Sequence, residues 1–128
     1  MNEALQSELD APFALIAEQI AFYNENGYIK LRQVFSAELL QHYRQIITAR
    51  VAKLSADALP FEQRTTYGKA FLQVMNLWTK SEGVSEFVFG KRLGRIAAEL
   101  MGVTGVRIYH DQALYKEAGG GITPWHAD

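Results

Sequence analysis

The chain contains no cysteine, which excludes disulfide staples and thiolate zinc sites. Such a chain suits a reducing compartment, and the cytoplasm is its expected address. Long apolar runs are missing too. No stretch approaches the roughly 20 consecutive apolar residues that span a bilayer, so no membrane partner is expected. The opening "MNEALQSELDAPFALIAEQI" carries acids where a secretory signal needs a basic start and an apolar centre. Charge of one sign is also lacking: 13 Lys and Arg stand against 14 Asp and Glu, a net −1. No global field therefore recruits nucleic acid or an anionic surface. Lys91, Arg92 and Arg95 lie at helical spacing beside Glu99, the pattern of a solvated helix face rather than a phosphate or RNA patch.

What is present is the composition of an ordinary globular domain. Of 128 residues, 48% are apolar and 21% charged, enough to build one core and one domain over residues 1–128. Residues 1–12 are expected as a loose leader ending at Pro12. Ile16, Ile20 and Tyr23 then fall at helical spacing, and Gly27 suits a left-handed helix stop. "YIKLRQVF" (28–35) alternates as a short strand does. Ser36 is a good N-cap with Glu38 in the first turn. Leu39, Leu40, Tyr43, Ile46, Ile47, Val51 and Leu54 make one apolar stripe behind it.

"SADALPFEQRTTYGK" reads as loop, and "AFLQVMNLW" fits either a helical turn or a buried strand. Helices are expected over Val84 to Phe89 and over Lys91 to Met101, with Leu93, Ile96, Ala97 and Leu100 inward and Gly102 ending the second. "VRIYHDQALYK" (106–116) is rich in β-branched and aromatic residues and alternates as a strand. Its face carries Ile108, His110, Gln112, Leu114 and Lys116, so Gln112 and Lys116 can line one cavity. The glycines at 119–121 lack the Gly-Lys-Ser/Thr ending of a phosphate loop and read as a flexible hairpin connection. Helices come first and strands late: the class is α+β.

The chain closes on "TPWHAD". In an extended segment residues i and i+2 share a face, so His126 and Asp128 project together. An imidazole and a carboxylate delivered from one strand are two corners of the 2-His-1-carboxylate arrangement that binds Fe(II). The combination "HDQALYKEAGGGITPWHAD" resembles the phytanoyl-CoA dioxygenase family of Fe(II)/2-oxoglutarate-dependent oxygenases. "FYNENGYIKLRQVFSAELL" is similar to that family's opening, and the likeness runs from about Phe22 onward.

The resemblance implies helices that precede the first strands of a double-stranded β-helix, a jelly-roll-like barrel. It also implies hydroxylation of a small organic substrate coupled to oxidative decarboxylation of 2-oxoglutarate. His126 and Asp128 match the first two iron ligands. Gln112 matches a position that contacts 2-oxoglutarate, and Gln73 a looser upstream contact. Lys116 joins them through strand alternation. The family's second histidine ligand and its basic carboxylate clamp both lie downstream of the His-x-Asp. The chain is therefore expected to be a fragment, inactive alone and self-associating through unpaired strands.

Two rivals stand beside this reading. One is a non-catalytic remnant or weak metal-binding module. The other takes His42, His110, Asp111 and Asp128 in the residue order of HD-type metal phosphohydrolases, which needs an all-helical scaffold.

Overall fold

The computed structural model describes residues 3–55, 59–123 and 125. In chain order these form α1 (Glu3–Asp10), α2 (Ala17–Asn26), α3 (Ala37–Leu54), α4 (Thr66–Ala70), β1 (Leu72–Met75), α5 (Glu82–Val88), α6 (Lys91–Met101) and β2 (Gln112–Tyr115), with short 3-10 turns at Phe61–Gln63 and Leu77–Lys80. The architecture is mixed helix and sheet. Among the described residues no helix is long and apolar enough to cross a membrane.

The core is organised by α3. Ser36 caps it as expected, its hydroxyl accepting the Leu39 N–H at 3.2 Å. Two buried clusters lie along this helix. One holds Leu5, Leu9, Leu39 and Tyr43, with Phe35 and Phe87 packed against it. The other holds Val51, Leu77 and Val84, with Leu72, Val74, Trp78, Ala113 and Tyr115 around it. Ile46 and Ile47 touch both clusters and join them into one core. Leu40 and Leu54, placed in the same stripe by spacing, remain 48% and 38% exposed. The buried surface is therefore narrower than the apolar one. Burial raises the Tyr43 phenol above its usual range, and Glu86, which its hydroxyl hydrogen-bonds, adds to the shift.

The loose leader expected over residues 1–12 is instead a docked helix. Leu5 and Leu9 of α1 lie in the first cluster, Leu9 with no exposed surface. Polar contacts fasten the same helix. The Glu8 carboxylate accepts the Ser36 N–H at 2.6 Å and its hydroxyl at 2.7 Å. Arg92 of α6 pairs with Glu8 at 3.6 Å and donates to the Ala11 and Val34 carbonyls. Asp10 accepts the Lys91 N–H at 3.1 Å, while its carbonyl accepts from Arg95 at 2.9 Å. On the face read as solvated, Lys91, Arg95 and Glu99 are exposed as expected, whereas Arg92 is mostly shielded and acts as a clasp.

Two strand expectations also change. "YIKLRQVF" forms no strand: it pairs with none among the described residues, bends at Arg32, Val34 and Phe35, and turns left-handed at Gln33, φ 54°. Alternation makes a strand only where a partner offers its ladder. The expected strand over 106–116 shortens to Gln112–Tyr115 for the same reason, since β1 is four residues long. "AFLQVMNLW" resolves as that strand, β1. By contrast α2 ends at Gly27 in the left-handed region, φ 77°, and α6 spans Lys91–Met101 with Ile96 and Leu100 buried, as read, although Leu93, expected inward, is 36% exposed.

Leu9→Ala should cost about 2–5 kcal/mol, the usual loss for a buried aliphatic truncation, and half-buried Ile47→Ala about 2 kcal/mol. Urea unfolding measures both. A Leu9 variant as stable as the wild type would return α1 to the status of a leader. The Ser36 hydroxyl, above all, holds the Glu8 carboxyl below its usual range, with the Ser36 N–H and Arg92 helping and partial burial opposing. A depressed carboxyl stabilises the fold above the ordinary glutamate range, and that stabilisation fades as pH falls through the depressed value. Glu8→Gln should therefore lower Tm at neutral pH, by a margin that narrows on acidification. A margin independent of pH would remove the charge from this account.

Candidate functional site

The two strands pair antiparallel, with Leu72 opposite Tyr115, Gln73 opposite Leu114, Val74 opposite Ala113 and Met75 opposite Gln112. Directly opposed residues share a face. Leu72, Val74, Ala113 and Tyr115 face the helices and pack on the second core cluster. The Tyr115 hydroxyl and the Thr48 hydroxyl of α3 share a hydrogen bond of 2.9 Å, which fixes this side of the sheet inward. The opposite face is then determined. It carries Gln73, Met75, Gln112 and Leu114, extended past the ladder by Phe71 and Lys116.

All three expected cosubstrate residues therefore come together on one face, opposite the one that packs on the second core cluster. Gln73 lies across from Leu114, with Gln112 and Lys116 diagonal to it on either side. Such diagonal neighbours are about 7–8 Å apart, within reach of long side chains. Gln73 is half-buried, and Gln112 and Lys116 are exposed. The Lys116 ammonium sits over the Phe71 ring, 4.9 Å from its centroid, a cation–π contact that orients the charge without neutralising it. Two amides and an ammonium are hydrogen-bond donors, and among the described residues of the two strands no carboxylate shares this face.

His126 and Asp128 lie outside the described residues, and so does Pro124. Trp125 is fully exposed. Among the described residues no group of three His, Cys, Asp or Glu side chains gathers to hold a metal ion. His42 on α3 packs its ring against Tyr43 at 4.9 Å, and His110 against Tyr109 at the same distance. Asp111 is occupied structurally. Its carbonyl accepts the Asn76 N–H at 2.9 Å and its carboxylate the Trp78 N–H at 3.4 Å. The phosphohydrolase order thus fails twice, since His42, His110 and Asp111 do not converge and the scaffold contains a sheet. An open groove of about 780 Å³ at Leu31, Gln33, Phe35 and Leu40 is lined by no titratable side chain and offers no chemistry.

The glycine run is a docked turn rather than a flexible connection. The Gly120 N–H donates to the Glu117 carbonyl at 3.1 Å, and Gly120 is buried. A Cβ at Gly120 would fall inside van der Waals contact of the Lys69 carbonyl oxygen at the end of α4, and 3.0 Å from the Glu117 oxygen. Arg64 and Glu117 form an ion pair beside it. Phe71, Lys69, Arg64 and Glu117 escaped the sequence reading. The register carries Phe71 to Lys116, but only once β1 is assigned, and nothing local signals a pair 53 residues apart.

No family model matches the chain, nor does any curated protein or solved structure.

Gly120→Ala should cost about 1–3 kcal/mol, the range for overpacking a close contact, because the obstructing atoms are backbone. Thermal unfolding measures it, with Gly105→Ala as control, where a Cβ meets nothing. Equal effects at both positions would show that the turn is not docked.

Proposed function

We propose that these residues form the N-terminal part of an Fe(II)/2-oxoglutarate-dependent oxygenase domain of the phytanoyl-CoA dioxygenase type, acting on a small organic substrate. The observation that carries this reading is the common face of Gln73, Gln112 and Lys116. Each was singled out as a cosubstrate contact, and the antiparallel register gathers them opposite the core. In this reading β1 and β2 begin a double-stranded β-helix whose interior is this common face.

The residues present fit a dicarboxylate, since the face offers donors and, among the described residues of the two strands, no competing carboxylate. The Gln73 and Gln112 amides would hydrogen-bond its oxygens, and Lys116, held over Phe71, would balance its charge. His126 and Asp128 would hold the iron as neutral imidazole and carboxylate, two of the three protein ligands such a centre takes. Bound iron supplies the redox chemistry that couples decarboxylation of 2-oxoglutarate to hydroxylation of an unactivated C–H bond. The protein's own part is to fix the cosubstrate's orientation and to keep water from the reacting face.

The coding sequence beyond Asp128 gives the first test: the reading requires a downstream histidine and, shortly after it, an arginine. Expressed with that sequence, the protein should retain Mn(II) in electron paramagnetic resonance titrations and consume 2-oxoglutarate when iron is supplied. His126→Ala should abolish both. Full turnover by that variant would end the assignment, and a stop codon after Asp128 would leave a non-catalytic remnant in its place.

A further inference from the structure

The end of the sheet where β1 begins gathers more positive charge than its carboxylates answer. The Phe61 ring carries both the Arg64 guanidinium carbon and the Lys69 ammonium, each 5.9 Å from its centroid. Lys116 stands over Phe71 at 4.9 Å. Lys69 precedes Phe71 by two residues, and its carbonyl lies against Gly120 in the turn that follows Lys116. These groups therefore share one corner. Glu117 is committed to Arg64. Glu62 is exposed on the same 3-10 turn and pairs with neither lysine. Among the described residues Lys69 and Lys116 have no carboxylate partner.

Like charges collected this closely repel, and aromatic faces orient ammonium groups without cancelling them. Most surface lysines escape such crowding by extending into water. Here both ammonium groups rest on rings that hold them at the corner. We infer that Lys69 and Lys116, each presented on a phenylalanine ring, form a binding subsite for the anionic group of a small molecule, a carboxylate or a phosphate. The turn docked through Gly120 fixes the distance between the two elements that carry them. The subsite needs no metal. It shares Lys116 with the oxygenase reading but does not depend on it, because the uncompensated charge exists whatever reaction follows.

The test is a two-dimensional NMR titration of the metal-free protein with succinate and, separately, with inorganic phosphate at constant ionic strength. Saturable shifts should appear at the backbone amides around Lys69, Phe71 and Lys116. Lys69→Gln and Lys116→Gln should each weaken binding on the order of tenfold, the loss of one hydrogen bond to a charged group. Lys116→Arg should preserve it, and Glu117→Gln, which removes the carboxylate paired with Arg64, should tighten it. Circular dichroism confirms that the variants are folded. A preference for succinate or for phosphate identifies the source of the anionic group, and either result supports the subsite. Shifts that never saturate, or saturable binding kept by the Lys69→Gln/Lys116→Gln double variant, would overturn it. Metal retention at His126 and Asp128 would be untouched by that failure, so the two readings fall separately.

Discussion

Glu8 makes the contact on which the rest of the arrangement depends. One carboxylate accepts the backbone and hydroxyl of Ser36 while pairing with Arg92. It therefore ties together α1, the first turn of α3 and the start of α6. Ser36 in turn caps α3, the helix along which both core clusters lie. The polar contacts do not supply the bulk of the stability, which comes from burying Leu5, Leu9, Leu39 and Tyr43. They fix the position of α1 so that its two leucines meet that cluster. A partly exposed ion pair alone would contribute little. The double hydrogen bond to Ser36 makes this one a locating device.

A second constraint is parity. In a strand a shift of one residue exchanges the two faces, so whatever anchors one face determines the chemistry of the other. Tyr115 is that anchor, with its ring in the core and its hydroxyl on Thr48. The polar set Gln73, Gln112 and Lys116 then projects to the opposite face as a consequence, with Lys116 oriented further by the Phe71 ring. The sheet face and the helical core are thus one design, and a disturbance of α3 near Thr48 reaches the polar face through a single side chain.

The sequence made some of this legible. Ser36, Gly27 and the limits of α6 were readable because caps and stops are local chemistry, decided within one helical turn. Gln112 and Lys116 were placed on one face by simple alternation. The errors fall where the deciding partner is remote. Residues 1–12 look like a leader because the partners of Glu8, Asp10 and Ala11 lie 28 to 85 residues away. "YIKLRQVF" has a strand's pattern but no neighbour to pair with. Arg92 looks solvated until the Ala11 and Val34 carbonyls are seen to receive it. At the site, residues were legible one by one, whereas the ring beneath Lys116 and the Arg64–Glu117 pair required the register.

The clasp between α1 and α6 also sets a timetable. Its contacts join residues 81 and 85 positions apart, so α1 cannot be fastened until α6 has been made. Leu39 and Tyr43 of α3 can cover Leu5 and Leu9 earlier, but until α6 is made Glu8 has no Arg92. A ten-residue loop closes in well under a microsecond, but ends separated by most of a domain must wait for the chain between them. α3 and α5 can meet earlier. α1 therefore closes in two stages, its leucines against α3 first and its carboxylates against α6 afterwards.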